Sequence, residues 1–266
     1  MRTSGTGIGR TGTARLDAGV GADEAGVVFR AARAVARRRG ARPALHPHGV
    51  VLAGRLDVPD QEIRWGVPWF DRPASYPVTA RWSRAAGLPR PLPDGLGLAL
   101  RVEDADGPGR SLELLLTSGG RGRLTRHVPI PRVSATAGPY TTLLSYVVGA
   151  GKGVVAAFPV PNSPRIAADP AAVGAAAASR PVVFDLRVGT PAGWRPLARL
   201  TLFREEHAPA RHGFDPYRNC LPGFHPVDRL RALRLAAYAG SRAGRGGSEG
   251  ATAGRARSAR GDGEPW

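Results

Sequence analysis

The chain has 266 residues, 42% of them hydrophobic, which is enough for one large domain with a real core. Its 38 Lys and Arg against 21 Asp and Glu give a net charge of +17. The basic residues are almost all arginine, with Lys152 the sole lysine, and no zinc-finger, RNA-recognition or basic-helix pattern accompanies them, so no specific nucleic-acid partner is expected. A single cysteine, Cys220, excludes an internal disulfide and every multi-cysteine metal site. No apolar run reaches the roughly 18 residues of a membrane-spanning helix, and the first residues lack the apolar core of a secretory leader. A soluble, cytoplasmic protein with no membrane partner is the expectation.

Residues 1–22 are rich in Gly and Thr and read as a disordered tail. Residues 23–39, DEAGVVFRAARAVARRR, are acidic at the start and basic at the end, the charge order a helix dipole favours. A strand-like region begins with HGVVLAGRLDV (48–58). YPVTARWS (76–83), LGLALRVEDA (96–105) and SLELLLTS (111–118) follow as strand candidates, parted by Pro, Gly and Asp turns. Residues 139–150 fit either a helix or an extended segment, and AADPAAVGAAAAS (167–179) an Ala-rich loop or short helix. PVVFDLRVG (181–189) and WRPLARLTLFRE (194–205) read as a hairpin. A Pro/Gly-rich passage leads into DRLRALRLAAYAGSRAGR (228–245), which reads as a helix. Residues 246–266 are low-complexity and read as a second tail. One domain over residues 23–245 is expected, with many short strands and few helices: an α+β fold built on an antiparallel β-barrel with flanking helices.

Within the last helix, Arg234 and Tyr238 are four residues apart and share a face. A guanidinium beside a phenol favours the phenolate, a hard ligand for ferric iron. Read alone, the pair is equally a tyrosine packed on the barrel with an arginine stacked on its ring. His46 is one of a His-x-His pair, which two surface histidines or two metal ligands would also satisfy. His127 reads as a surface histidine.

Phe214-Asp215-Pro216, Pro222-Gly223, Asp228, Arg234 and Tyr238 together resemble the C-terminal haem-binding part of the catalase superfamily. His46, Gly49 and Gly54 resemble its distal segment in spacing. Arg81-Trp82-Ser83, with Asp94, Gly97, Ala99 and Arg101, resemble its Arg-Phe-Ser strand and the pattern that follows. The length fits the small, catalase-related branch. The resemblance implies a haem b cofactor with Tyr238 as its iron ligand, and Arg234 contacting the tyrosine oxygen. It implies Arg81 and Arg245 on the propionates, Leu45 against the distal side, His46 as the acid/base, and Ser83 holding that histidine. The passage LELLLTSGGRGRLTRHVPIPR (112–132) contains neither Asn nor Phe, where the superfamily has an Asn for peroxide and a Phe on the haem. Peroxidase-like reduction of hydrogen peroxide or organic hydroperoxides by an unknown electron donor is therefore the expected activity, rather than rapid dismutation. The alternatives are a haem-free binding or scaffold protein that keeps the barrel, and, behind it, a phosphate-ester hydrolase. Whether the protein is a homo-oligomer is left open.

Overall fold

The structure, a computed structural model, describes residues 48–88, 91–205 and 213–227. The helices expected over residues 23–39 and 228–245, both expected tails, and residues Leu45, His46, Arg234, Tyr238 and Arg245 lie outside the described residues.

The strands are β1 (His48–Val58), β2 (Ala74–Arg84), β3 (Leu96–Val102), β4 (Leu112–Ser118), β5 (Tyr140–Val148), β6 (Gly151–Pro159), β7 (Val182–Thr190), β8 (Gly193–Glu205) and the short β9 (Phe224–Pro226). Among the described residues two α-helices accompany them, α1 (Pro68–Asp71) and α2 (Pro170–Ser179). Every pairing between these strands is antiparallel, and β1 to β7 each pair with the next strand in sequence. β8 returns to pair with β1, so the eight strands close into a barrel. Closure removes the open edges that an antiparallel sheet would otherwise expose.

Alternation dictates which side chains fill the barrel. Val50, Leu52, Leu56 and Val58 of β1 are buried, and the cross-strand partners of Val50 continue the layer as Trp82, Leu98 and Leu116. Within this interior the Trp82 indole donates to the Tyr140 hydroxyl (2.8 Å), which donates to the Ala135 carbonyl (2.6 Å). Burial pushes the Tyr140 phenol well above its ordinary range, so it stays neutral and keeps its proton for that bond. One end of the barrel is plugged by aromatics: Phe70 of α1 meets Phe224 edge-on at 4.7 Å, and Phe224 in turn packs on Tyr146.

The segment expected to be helical or extended, 139–150, is β5. Its regular course is broken near Leu143, a non-glycine residue at φ 57°, where the register to β6 shifts. The Ala-rich segment is helix α2, started by Asp169, whose side chain accepts from the Ala172 N–H (3.0 Å), and by Pro170 at the first position. The expected strand 96–105 stops at Val102, where the chain turns. No helix among the described residues is long and apolar enough to cross a membrane.

The seam between β4 and β5 is closed in an unusual way. These strands pair directly only at Thr117 with Thr141 and Ser118 with Tyr140. Farther along, residues 213–227 fill the gap. On one side the Glu113 N–H donates to the Asn219 carbonyl (2.8 Å); on the other, β9 pairs with Tyr146–Val148 of β5.

Candidate functional site

Arg81 and Ser83 lie two apart on β2 and therefore share a face; since Trp82 between them points into the barrel, both point outward. The pairing register sets their neighbours. Ser83 stands between Gly49 of β1 and Gly97 of β3, and the row continues to Thr117 of β4. Arg81 stands between Val51 and Ala99, and its row continues to Leu115. The result is an outer face on which Gly49, Gly97 and Ala99 flank the Arg81 guanidinium and the Ser83 hydroxyl, with Val51, Leu115 and Thr117 at its margins.

Gly49 shows how closely this face is built. A Cβ there would come within 2.6 Å of the Trp82 carbonyl oxygen and 3.0 Å of the Arg81 guanidinium carbon. The guanidinium thus lies directly over the β1 backbone, where only glycine leaves room. Burial lowers the Arg81 pKa from its ordinary value by making the charge costlier, though an arginine remains cationic. Ser83 is buried. A fixed, partly desolvated cation beside a flat, small-residue surface suits an acidic group on a planar ligand.

The face has defined limits. Below it, Arg101 donates through Nε to Glu113 (2.7 Å), and Glu113 also accepts from the Asp215 backbone N–H. The Arg101 guanidinium sits 5.5 Å from the centroid of the Phe214 ring. The Phe-Asp-Pro segment is thereby docked on the outside of β3 and β4, and Arg101 is committed to holding it. Glu113 is fully buried. It escaped notice in the sequence, although a lone acid in a leucine-rich strand, directly opposite Arg101, was the available signal. Beyond Ser83, Arg84 and Asp94 form a buried pair at 3.4 Å. Burial alone would raise the Asp94 pKa. Hydrogen bonds from the Ala86 and Leu88 N–H groups and from Arg84 outweigh it and hold the carboxylate below its usual range. Asp94 therefore pins the β2–β3 connection.

In the passage without Asn or Phe, Ser118 donates to the Ile130 carbonyl (2.7 Å) and accepts from the Leu96 N–H (3.0 Å), so its hydroxyl is engaged in structure. Thr117 is the polar residue of that passage that falls on the candidate face. His127 is exposed and its Nδ1 bonds to the Leu143 carbonyl (2.7 Å), in keeping with a surface histidine. Gly54, the second glycine of the distal spacing, lies where the β1–β8 register shifts; a Cβ there would be 2.6 Å from the Thr201 carbonyl oxygen.

No protein-family model matches the chain, and no curated protein matches it. Solved structures do. A bacterial catalase is similar at a TM-score of 0.54 and 13% identity, over 75% of this chain and 56% of that one. A fungal catalase is similar at 0.54 and 11%, over 90% of this chain and 64% of that one. Catalase A from Saccharomyces cerevisiae is similar at 0.53 and 10%, over 76% and 60%. The fold is a catalase-like, eight-stranded antiparallel barrel with few helices. The chain spans less than two thirds of the length of these structures.

Proposed function

We propose that this protein binds haem b against the outer face of β1–β4 and catalyses a peroxidase-like reduction of hydrogen peroxide or an organic hydroperoxide. The observation that carries the reading is the small-residue face of Gly49, Ser83, Gly97 and Ala99 with the Arg81 guanidinium fixed upon it. The catalase-like fold supports it, as does the sequence pattern that supplies the remaining groups. The residues fit the cofactor chemically: small side chains admit a flat ring close to the backbone, and Arg81 matches a propionate.

In this reading Tyr238 is the iron ligand, and Arg234 keeps its phenol ionised. Arg81 and Arg245 hold the propionates, and Leu45 walls the distal side. Haem, when bound, supplies the redox chemistry by which a peroxide O–O bond is split. His46 takes the proton from one peroxide oxygen and returns it to the other, and Ser83 fixes the imidazole by accepting from its second nitrogen. Since Ser118 is tied up in structure and no Asn stands in residues 112–132, peroxidase turnover is favoured over dismutation, and an external electron donor is required.

That same passage favours one second reading, a haem-free protein that keeps the barrel as a binding or scaffold module. A phosphate-ester hydrolase stands behind both, resting only on the arginine surplus and the spare histidines. The visible spectrum of protein purified from cells supplied with iron and a haem precursor decides between the first two. A Soret band that is lost in Tyr238→Phe is expected. His46→Ala should keep the band and lose peroxide turnover. A colourless protein that takes up no added haemin overturns the proposal.

A further inference from the structure

Of the six exposed large apolar side chains among the described residues, five (Leu88, Leu92, Leu124, Val128 and Val133) stand in the β2–β3 and β4–β5 connections. These two connections leave the same end of the barrel and are bridged by backbone hydrogen bonds between Asp94 and Arg132. Leu124 is the extreme case at 83% exposed, and Val128 follows four residues later at 52%. Two aliphatic side chains held this far into water on one loop are open to an apolar partner.

The tip is rigidly built. The Trp194 indole donates to the Arg121 carbonyl (2.8 Å), Thr141 donates to the Arg126 carbonyl (2.8 Å), and His127 bonds to Leu143. The Gly122 N–H bonds to Thr125 Oγ1 (3.0 Å). Arg126 lies over the Trp194 ring at 5.7 Å, and Arg121 over Phe158 at 5.7 Å. Leu124 is therefore presented outward on a fixed scaffold.

Its surroundings are basic. Residues 119–139 contain four arginines and no acid. Two of those arginines, Arg121 and Arg123, come just before Leu124 in the chain and are exposed. The acids of the neighbouring connections are used internally: Asp94 is buried against Arg84, and Asp169 caps α2.

We propose that the tip at residues 121–128 docks the protein on an anionic lipid surface, with Leu124 and Val128 entering the headgroup region and Arg121 and Arg123 pairing with lipid phosphates and carboxylates. Aliphatic insertion combined with arginine pairing is the chemistry of peripheral membrane attachment. A nucleic acid would use the arginines but offer nothing to an exposed leucine. The inference departs from the expectation of no membrane partner, which rested on the lack of a spanning segment, and it is independent of haem.

The test is co-sedimentation of the full chain with phosphatidylcholine vesicles, with and without phosphatidylserine. Preferential binding to the phosphatidylserine vesicles is expected. Leu124→Ser with Val128→Ser should weaken it roughly tenfold. Arg121→Gln with Arg123→Gln should weaken it by roughly fivefold per arginine and erase the preference. Arg64→Ala with Arg72→Ala, on the connection leaving the other end of the barrel, should bind as the parent chain does. The proposal is overturned if the parent chain ignores the vesicles. It is overturned equally if the serine variant binds undiminished, as a receptor for nucleic acid or acidic protein would, or if the control variant loses as much as the loop variants. Unchanged thermal melting identifies each variant as folded.

Discussion

At Gly49 a single hydrogen in place of a side chain decides where a cation sits. Because a Cβ would meet the Trp82 carbonyl oxygen at 2.6 Å and the Arg81 guanidinium at 3.0 Å, Gly49→Ala must push either the β2 backbone or Arg81 aside. Overpacking of this kind costs about 1–3 kcal/mol. A lowered melting temperature together with weakened haemin uptake is expected; full uptake at a lowered melting temperature would detach Arg81 from the ligand. Asp94 gives a second prediction, and its sign follows from the direction of its shift. The carboxylate titrates lower in the folded protein than in the unfolded chain. Its stabilisation is thus complete above the unfolded value near about 4 and is lost as pH falls through the folded value. Asp94→Asn leaves Arg84 buried without its charge partner and should cost about 3–5 kcal/mol at neutral pH. In chemical denaturation against pH, the parent chain and the variant should converge on acidification. A gap that stays constant with pH would assign the loss to packing.

Among the elements, the strands with a clean period of two were legible in the sequence. HGVVLAGRLDV is β1, because Val50, Leu52, Gly54, Leu56 and Val58 are buried while Val51, Ala53, Arg55 and Asp57 alternate with them on the more exposed side. The hairpin of β7 and β8 was equally plain. β6, GKGVVAAFP, was missed, and the burial pattern explains it: Gly153 to Phe158 are all buried, so no polar residue marks an outer face. α1 has four residues, and β9 three, too few for any period to register. For the candidate site, the Arg81–Ser83 pair could be read from sequence because strand alternation alone puts the two on one side. For Glu113 the sequence offered only a lone acid in a leucine-rich strand; its role depends on pairing with Arg101 and on Asp215, 102 residues away. The interior polar chain yields a prediction of its own. Tyr140→Phe removes the acceptor of the Trp82 indole and the donor to the Ala135 carbonyl in a buried setting. Leaving these groups unsatisfied costs about 1–3 kcal/mol each, so the melting temperature should fall. Tyr140→Phe at parental stability would mean that other partners replace both bonds.

For the whole molecule, the weak point of the barrel is the seam between β4 and β5, and Glu113 is where it is fastened. Direct pairing there ends at Thr117 and Ser118, so closure of the rest depends on residues 213–227 lying between the strands. Glu113 holds that segment two ways: its carboxylate, itself fixed by Arg101, accepts from the Asp215 N–H, and its own N–H donates to the Asn219 carbonyl. The same segment carries the Phe-Asp-Pro motif and runs on to the stretch containing Arg234 and Tyr238. Barrel closure therefore rests on the stretch of chain that leads, in sequence, to the residues proposed to bind iron. Glu113→Gln keeps the shape and one acceptor oxygen but withdraws the charge from buried contact with Arg101, a loss on the order of 3 kcal/mol. Hydrogen exchange should then rise on both sides of the seam, at β4 and at the Tyr146–Val148 stretch of β5, as well as within residues 213–227. Exchange that rises only in residues 213–219, with β5 and β9 as protected as before, would reduce Glu113 to a local clip and separate the closure of the barrel from the placement of the residues beyond it.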